Sequence, residues 1–286
     1  MDPTETEATA GTSGATAATS GATRVEREGG LITFTLDRPE KKNAINAEIW
    51  SDLDVVLTEL ERDPSARALV LTGSGGNFSS GADLSGGLSG GEESKGLTGG
   101  GPQPIVSEMR IVGSLISRLQ AVPKPTVAAV DGVAVGVALG LVLACDLVLA
   151  SDRARFSQIF VKRGLALDGG TSWSLPHQIG LRRAKQMAFF GEPVDAATAL
   201  EWGMVNEVVP HDELAAVAGD WGRRLASGPT IAISLIKRQL DASGETSFSG
   251  ALEGEARAQH VVFTTDDMKE GITAFLERRD PEFKGS

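Results

Sequence analysis

The chain has 286 residues, with 27 Lys and Arg against 38 Asp and Glu; a net charge of −11 lacks the basic footprint that nucleic acid or an anionic membrane requires. Hydrophobic residues at 41% and charged residues at 23% fit a globular protein of one large domain with a small appendage. A single cysteine, Cys145, excludes an internal disulfide, and three scattered histidines (His177, His211, His260) argue against a metal centre, so a metal-free, cytoplasmic protein is expected.

Residues 1–23 are small and polar, with neither a basic stretch followed by an apolar one nor an Arg-rich pattern. They read as a disordered tail rather than a targeting segment. From Arg24 two strands flank Gly29-Gly30, a hairpin signal. Residues 44–61 carry Ile45, Ile49, Leu53, Val56, Leu57 and Leu60 at helical spacing, ended by Asp63-Pro64. A short apolar strand follows over 68–72. Residues 85–101 form a Gly/Ser-rich loop, expected to lid a pocket. A helix over 105–121 stops at Pro123 and Pro125, and a strand over 126–130 comes next.

Residues 126–150 are the most hydrophobic run. Asp131 and Asp146 leave its uncharged part short of the ~18–20 residues of a membrane span, so a buried core segment is expected: a helix over 135–144, then a strand over 146–150. A last strand is expected over 205–209. From Glu213 onward the pattern is amphipathic helices broken at Gly228-Pro229 and near 243–246. Strand and helix in alternation predict an α/β fold with parallel strands, organised as a core over 24–225 and a helical module over 226–286.

Several motifs lead nowhere. Gly87-Leu88-Ser89-Gly90-Gly91 matches a nucleophile elbow, but no strand enters it. Neither a phosphate-binding loop nor a strand-borne dinucleotide fingerprint is present. Two glycine-containing turns hold more promise. Residues 75–84 (GGNFSSGADL) follow one strand and residues 131–140 (DGVAVGVALG) follow another. In parallel α/β units ligands bind beyond the carboxyl ends of strands, where a turn entering a helix leaves N–H groups unpaired. Two such turns, converging, make an oxyanion hole; alternatively the glycines only permit tight bends.

At these residues the sequence resembles the crotonase (enoyl-CoA hydratase/isomerase) superfamily. The resemblance runs in order through LDRPEKKNAIN (36–46), FSSGADL (78–84), KPTVAAVDGVAVG (124–136), ACDLVLAS (144–151), ALEWGMVN (199–206) and FLERRDPEF (275–283). It implies a spiral of ββα units with a C-terminal helical trimerisation module, acyl-CoA thioester substrates, and a homotrimer or a hexamer built as a dimer of trimers. It also implies no cofactor, because CoA is part of the substrate, and neither a nucleic-acid nor a membrane partner. Carried onto this chain, the oxyanion donors are the amides of Ala82 and Val137, although relatives usually have glycine at the latter place. Arg38, Lys41 and Arg278 match CoA phosphate contacts, Arg278 by reaching a neighbouring subunit. Ala82, Asp83, Leu84 and Phe275 complete the expected CoA-contacting set.

The two glutamates of the family's hydratases fall on Gly140 and Phe160, neither of which moves a proton. What remains is Asp168, in a segment (160–176) most similar to the 1,2-epoxyphenylacetyl-CoA isomerase branch. The resemblance makes it a catalytic carboxylate; its position before Gly-Gly-Thr and a helix equally suits an N-cap. One carboxylate can remove an α-proton and return it at the γ-carbon, so isomerisation is the expected chemistry. The rivals are a hydratase with a displaced acid/base, an aspartate nucleophile acting on an aryl-CoA, and a non-catalytic subunit that binds CoA thioesters.

Overall fold

The computed structural model describes residues 16–19, 21–86 and 104–286. Among them a seven-stranded sheet runs in the order β1 (Thr16–Thr19), β2 (Thr23–Glu28), β3 (Leu31–Leu36), β4 (Ala68–Gly73), β5 (Thr126–Val130), β7 (Leu147–Ser151), β10 (Glu207–Val209). The first three strands pair antiparallel and the rest are parallel. A three-stranded sheet joins β6 (Val133–Val135), β8 (Arg155–Ser157) and β9 (Val194–Asp195). The chain passes from the large sheet to the small one and then into a helix: β5, β6, α3 (Val137–Ala144), then β7, β8, α4 (Thr171–Ile179). This repeated strand–strand–helix advance is the expected ββα spiral.

Residue alternation along the strands separates two cores. Phe34, Leu71, Ala128 and Val148 face one side, against α1 (Ala47–Arg62), α2 (Ile105–Ala121) and α3. Leu31, Val70, Val127 and Leu149 face the other, under α7 (Leu214–Ala226). That two-sided burial is why the parallel strands read as continuous apolar runs. Helix α1 begins where the Asn46 side chain accepts from the Ile49 amide at 3.1 Å, and it buries all six of the residues singled out by periodicity except Ile45, which lies just ahead of it and is itself buried. Helix α3 is buried on every side, so it has no amphipathic stripe.

The long helices and the strands of the large sheet from β2 onward match the sequence expectations, with boundaries moved by a few residues. Two corrections stand out. The tail expected to be disordered over 1–23 joins the fold earlier: β1 pairs with β2, and Ala22 and Thr23 are buried. Residues 1–15 lie outside the described residues. So does most of the glycine-rich loop expected to act as a lid. The small sheet was not foreseen, because strands of two or three residues carry no measurable periodicity. Residues 126–150 are divided among β5, β6, α3 and β7, and no helix among the described residues is long and apolar enough to cross a membrane.

After α7, Gly228-Pro229 opens the C-terminal series α8 (Thr230–Asp241), α9 (Phe248–Val262) and α10 (Asp266–Glu277). The elements α5 (Leu181–Phe190) and α6 (Ala196–Glu201) precede it, on the way to β10. Arg67 ties the series to the core, donating to the Thr230 hydroxyl at 2.9 Å and to the carbonyls of Gly228 and Phe283. Lys237 on α8 pairs with Asp146 at 3.0 Å, and the same carboxylate oxygen accepts from the Thr126 amide at 2.8 Å. Lys237 is only 8% exposed. Replacing it with Met leaves Asp146 without its cation, and we expect a loss of about 3 kcal/mol in urea unfolding, the low end for a buried pair because Asp146 is 23% exposed.

Candidate active site

Backbone pairing welds the two glycine turns together. Between β4 and α2, Phe78 donates its amide to Asp131 O at 2.6 Å and Ser79 donates to Val133 O at 2.8 Å, while Val135 returns a bond to Ser79 O at 3.1 Å. On the opposite side Ile45 donates to Gly81 O and accepts from Asp83 N, each at 2.8 Å. Ala82 lies between these two bonds, and its own amide has no acceptor among the described residues. Gly81 is obligatory here: φ is +97°, and a Cβ would stand 2.8 Å from Val135 O. In the second turn Gly136 takes φ 60° and ψ −127° and donates to Ser157 O at 2.9 Å. Val137 then opens α3 as its first residue, where an N–H has no intrahelical acceptor.

Ala82 and Val137 both line one cavity of about 630 Å³, whose walls include apolar side chains such as Ile105, Met109 and Val112 of α2, and Phe160. Ser80, Gly81, Leu84, Gly136 and Asp168 also border it. Asp168 is the one carboxylate among the described residues that line the cavity. Its Oδ1 is buried without a hydrogen-bond partner, and burial alone pushes its pKa up to about 6. The capping role open to it goes elsewhere. Gly170 occupies the N-cap of α4, and Thr171 donates its amide and hydroxyl to the Asp168 carbonyl, at 3.2 and 2.7 Å. The carbonyl serves the helix, so the carboxylate remains free. Phe160, 8% exposed, stands where a hydratase-type glutamate was sought, its ring 3.6 Å from the place a Cβ on Gly136 would take.

The raised pKa has a consequence for stability. A carboxyl near 6 in the folded protein and near ~3.9 unfolded binds more protons folded between those values, so stability falls as pH rises through that window. Allowing for solvent at a half-buried group, we expect a loss of about 1 kcal/mol between pH 4 and 7, absent in Asp168→Asn. Urea unfolding at both pH values checks it.

The expected CoA-contacting residues divide by geometry. The Arg38 guanidinium is 12% exposed and is engaged internally, with Ala44 O at 2.6 Å and Asp83 Oδ2 at 2.9 Å. Burial works against a charged Asp83, but the Ser85 hydroxyl and amide together with Arg38 hold its carboxyl well below the usual carboxylate range. Arg38 and Asp83 thus brace the turn that carries Ala82. Lys41 keeps 45% of its side chain exposed, 3.5 Å from Asp83. Leu84 is exposed at the cavity edge. Phe275 and Arg278 lie at the end of α10, Phe275 81% exposed, and neither lines the cavity.

One brace escaped sequence reasoning. Asp131, ahead of the second turn, accepts from Ser151 Oγ at 2.7 Å and from two nitrogens of Arg153, and it lies 3.3 Å from His211 Nδ1. Burial opposes its ionisation, yet Arg153, Ser151 and His211 lower its pKa to about 2. Twenty or more residues separate these partners, so no local spacing announces them. His177 stacks on Trp173 with centroids 4.1 Å apart, neither of them lining the cavity, and burial pushes the Cys145 thiol up to about 12.

Comparison with known proteins adds four likenesses. The profile described as enoyl-CoA hydratase/isomerase matches residues 26–286. The chain is 37% identical over 258 residues to the 1,2-epoxyphenylacetyl-CoA isomerase of Escherichia coli (strain K12), covering 90% of this chain and 96% of that one. It is also 37% identical over 265 residues to a probable enoyl-CoA hydratase of Rhodobacter capsulatus, covering 92% and 97%. A crystal structure of a putative enoyl-CoA hydratase from Streptomyces coelicolor A3(2) superposes with a TM-score of 0.84 at 32% identity, covering 98% of this chain and 100% of that one.

Proposed function

The chain belongs to the enoyl-CoA hydratase/isomerase family and has its crotonase fold, and on that premise we propose that it isomerises acyl-CoA thioesters, shifting a double bond or rearranging a ring, with Asp168 as the one acid/base. The observation that carries this reading is a cavity lined, among the described residues, by Ala82 and Val137, whose amides have no acceptor there, and by a single carboxylate. In a 3-enoyl thioester the α-C–H is acidified by the carbonyl and the adjacent double bond. Asp168 takes that proton, and the electron pair moves onto the thioester oxygen as a dienolate. The Ala82 and Val137 amides donate to that oxygen and stabilise its charge. The same carboxyl returns the proton to the γ-carbon, and the double bond moves from the 3,4 to the 2,3 position. The substrate's own thioester supplies the acidity, so the reaction needs no cofactor.

Hydration asks for a group to activate water as well as one to protonate carbon, and one carboxylate among the described residues that line the cavity supports the single-base reaction better. The relative named as an isomerase agrees with this reading, and the relative named as a hydratase agrees with its rival. For CoA itself, exposed Leu84 borders the cavity and the half-exposed Lys41 lies 3.5 Å from Asp83, which with Arg38 supports the same turn. In a homotrimer, or a hexamer of two trimers, α8–α10 form the contact module. Leu240, Phe248, Phe275 and Leu276 expose 67, 82, 81 and 74% of their surface, an apolar face that assembly would cover and that would bring Phe275 and Arg278 toward a neighbour's CoA.

The test is proton NMR of a 3-enoyl-CoA with the protein in D2O. A 2-enoyl-CoA product is the expected result, carrying deuterium at the γ-carbon to the extent that the Asp168 carboxyl exchanges with solvent before it returns the proton. A 3-hydroxyacyl-CoA formed from a 2-enoyl-CoA would make the protein a hydratase, and binding without turnover would make it a thioester-binding subunit.

A further inference from the structure

We infer that Gly140 is a positioning residue for Asp168: its missing side chain lets the turn at 168–170 settle against α3, and that backbone contact aims the carboxylate into the cavity. The inference rests on Asp168 being the acid/base. A Cβ built on Gly140 would stand 2.5 Å from Gly169 O, 3.1 Å from Gly169 Cα and 3.2 Å from Gly169 C. All three neighbours are backbone, so no rotamer change relieves the overlap. The contact is reciprocal. Gly169 takes φ +62°, and a Cβ there would meet Val137 Cγ2 at 3.3 Å, Ile116 Cδ1 at 3.4 Å and Gly140 Cα at 3.5 Å. The turn is therefore held between α3 and the Ile116 side of α2. Helix α3 is buried along its whole length and cannot retreat.

Packing has to do this work because hydrogen bonding does not. No described residue donates to the Asp168 carboxylate, and Oδ1 is buried without a partner. The bonds from Thr171 hold the Asp168 carbonyl, which leaves the side chain aimed only by where its backbone sits. The same contact fills the space a side chain at 140 would need, so a glutamate there cannot simply restore the two-carboxylate arrangement of a hydratase.

Gly140→Ala tests the inference, with Gly113→Ala as comparator. Gly113 borders the same cavity, and a Cβ there meets nothing within 4 Å, so it adds a methyl without touching the turn. For Gly140→Ala we expect kcat to fall about 10²-fold, the cost of a displacement near 1 Å. KM should stay within about threefold of the wild-type value, as for an interaction felt in the transition state alone. The acidic limb of the kcat profile should move below its midpoint near 6 as the carboxyl gains water. Gly113→Ala should alter KM and leave that midpoint in place.

A folded Gly140→Ala protein with unchanged kcat and midpoint overturns the inference. If that variant does not fold, Ile116→Val loosens the other side of the turn at a tolerable cost of about 0.5–1.5 kcal/mol. It should lower kcat and the midpoint in the same direction, and no change in either would count against the idea. Carbon-13 NMR of labelled aspartate, assigned with Asp168→Asn, separates the two claims. If the wild-type protein isomerises nothing, the functional reading fails. A lower Asp168 pKa in Gly140→Ala still supports positioning in that case, and an unmoved one sinks it.

Discussion

Asp168→Asn lowers kcat for 3-enoyl-CoA isomerisation by about 10²–10⁴-fold, the range for removal of a general acid/base. Asparagine keeps the shape of the side chain but cannot accept the α-proton. No described residue hydrogen-bonds the carboxylate, so the substitution breaks no internal bond and should leave substrate binding close to that of the wild type. Activity should also follow protonation. Below a midpoint near 6 the wild-type carboxyl is neutral and cannot act as base, so kcat falls toward acid pH. Steady-state rates from pH 5 to 8, together with deuterium exchange in D2O, read both effects. Exchange that survives in Asp168→Asn would put the base elsewhere and remove Asp168 from the mechanism.

Val137→Pro carries the second large effect, about 10²–10³-fold in kcat, because it deletes one of the two donors to the enolate oxygen. The position suits the experiment. Val137 is the first residue of α3, where proline is well tolerated and its missing N–H breaks no helical bond. Gly136 before it sits at φ 60° and ψ −127°, close to the mirror image of the extended conformation that proline imposes on its predecessor. Only glycine adopts that mirror form freely, so the backbone accepts the ring. KM should change little, since the oxyanion forms only on the way to the transition state. Equal losses in Val137→Pro and in the unrelated surface of the fold, read as a fallen unfolding midpoint, would mean that the helix and not the donor was damaged. Val137 Cγ2 also faces the turn that carries Asp168, so a kcat loss identifies the donor when both the unfolding midpoint and the acidic limb of the kcat profile near pH 6 stay in place.

Arg38 shows how a sequence assignment and a fold can divide one residue's role. Beside LDRPEKKNAIN it reads as a cation for a CoA phosphate. In the folded chain it holds Asp83 and the Ala44 carbonyl, and through Asp83 it steadies the turn that presents the Ala82 amide. Lys41, more exposed and more loosely held, keeps the freedom an incoming phosphate would use.

Local pattern in the amino-acid sequence was enough for the α/β class, the long helices and the two glycine turns. Alternation and 3.6-residue spacing report which face of an element is buried, and turn glycines report backbone angles, all within a few neighbours of each residue. The ordered set of family-like segments extended that reading to the spiral and to Asp168. Tertiary structure alone decided the rest. It joined Ser79 to Ala134 across 55 positions, and Ala82 and Val137 line one cavity. It gave the α4 cap to the Asp168 carbonyl and left the carboxylate bare. It set Gly140 against Gly169, and it paired Asp131 with Arg153. Each of these depends on distances between residues far apart in the chain, and spacing along a sequence carries no such distances until the sheets and helices have packed.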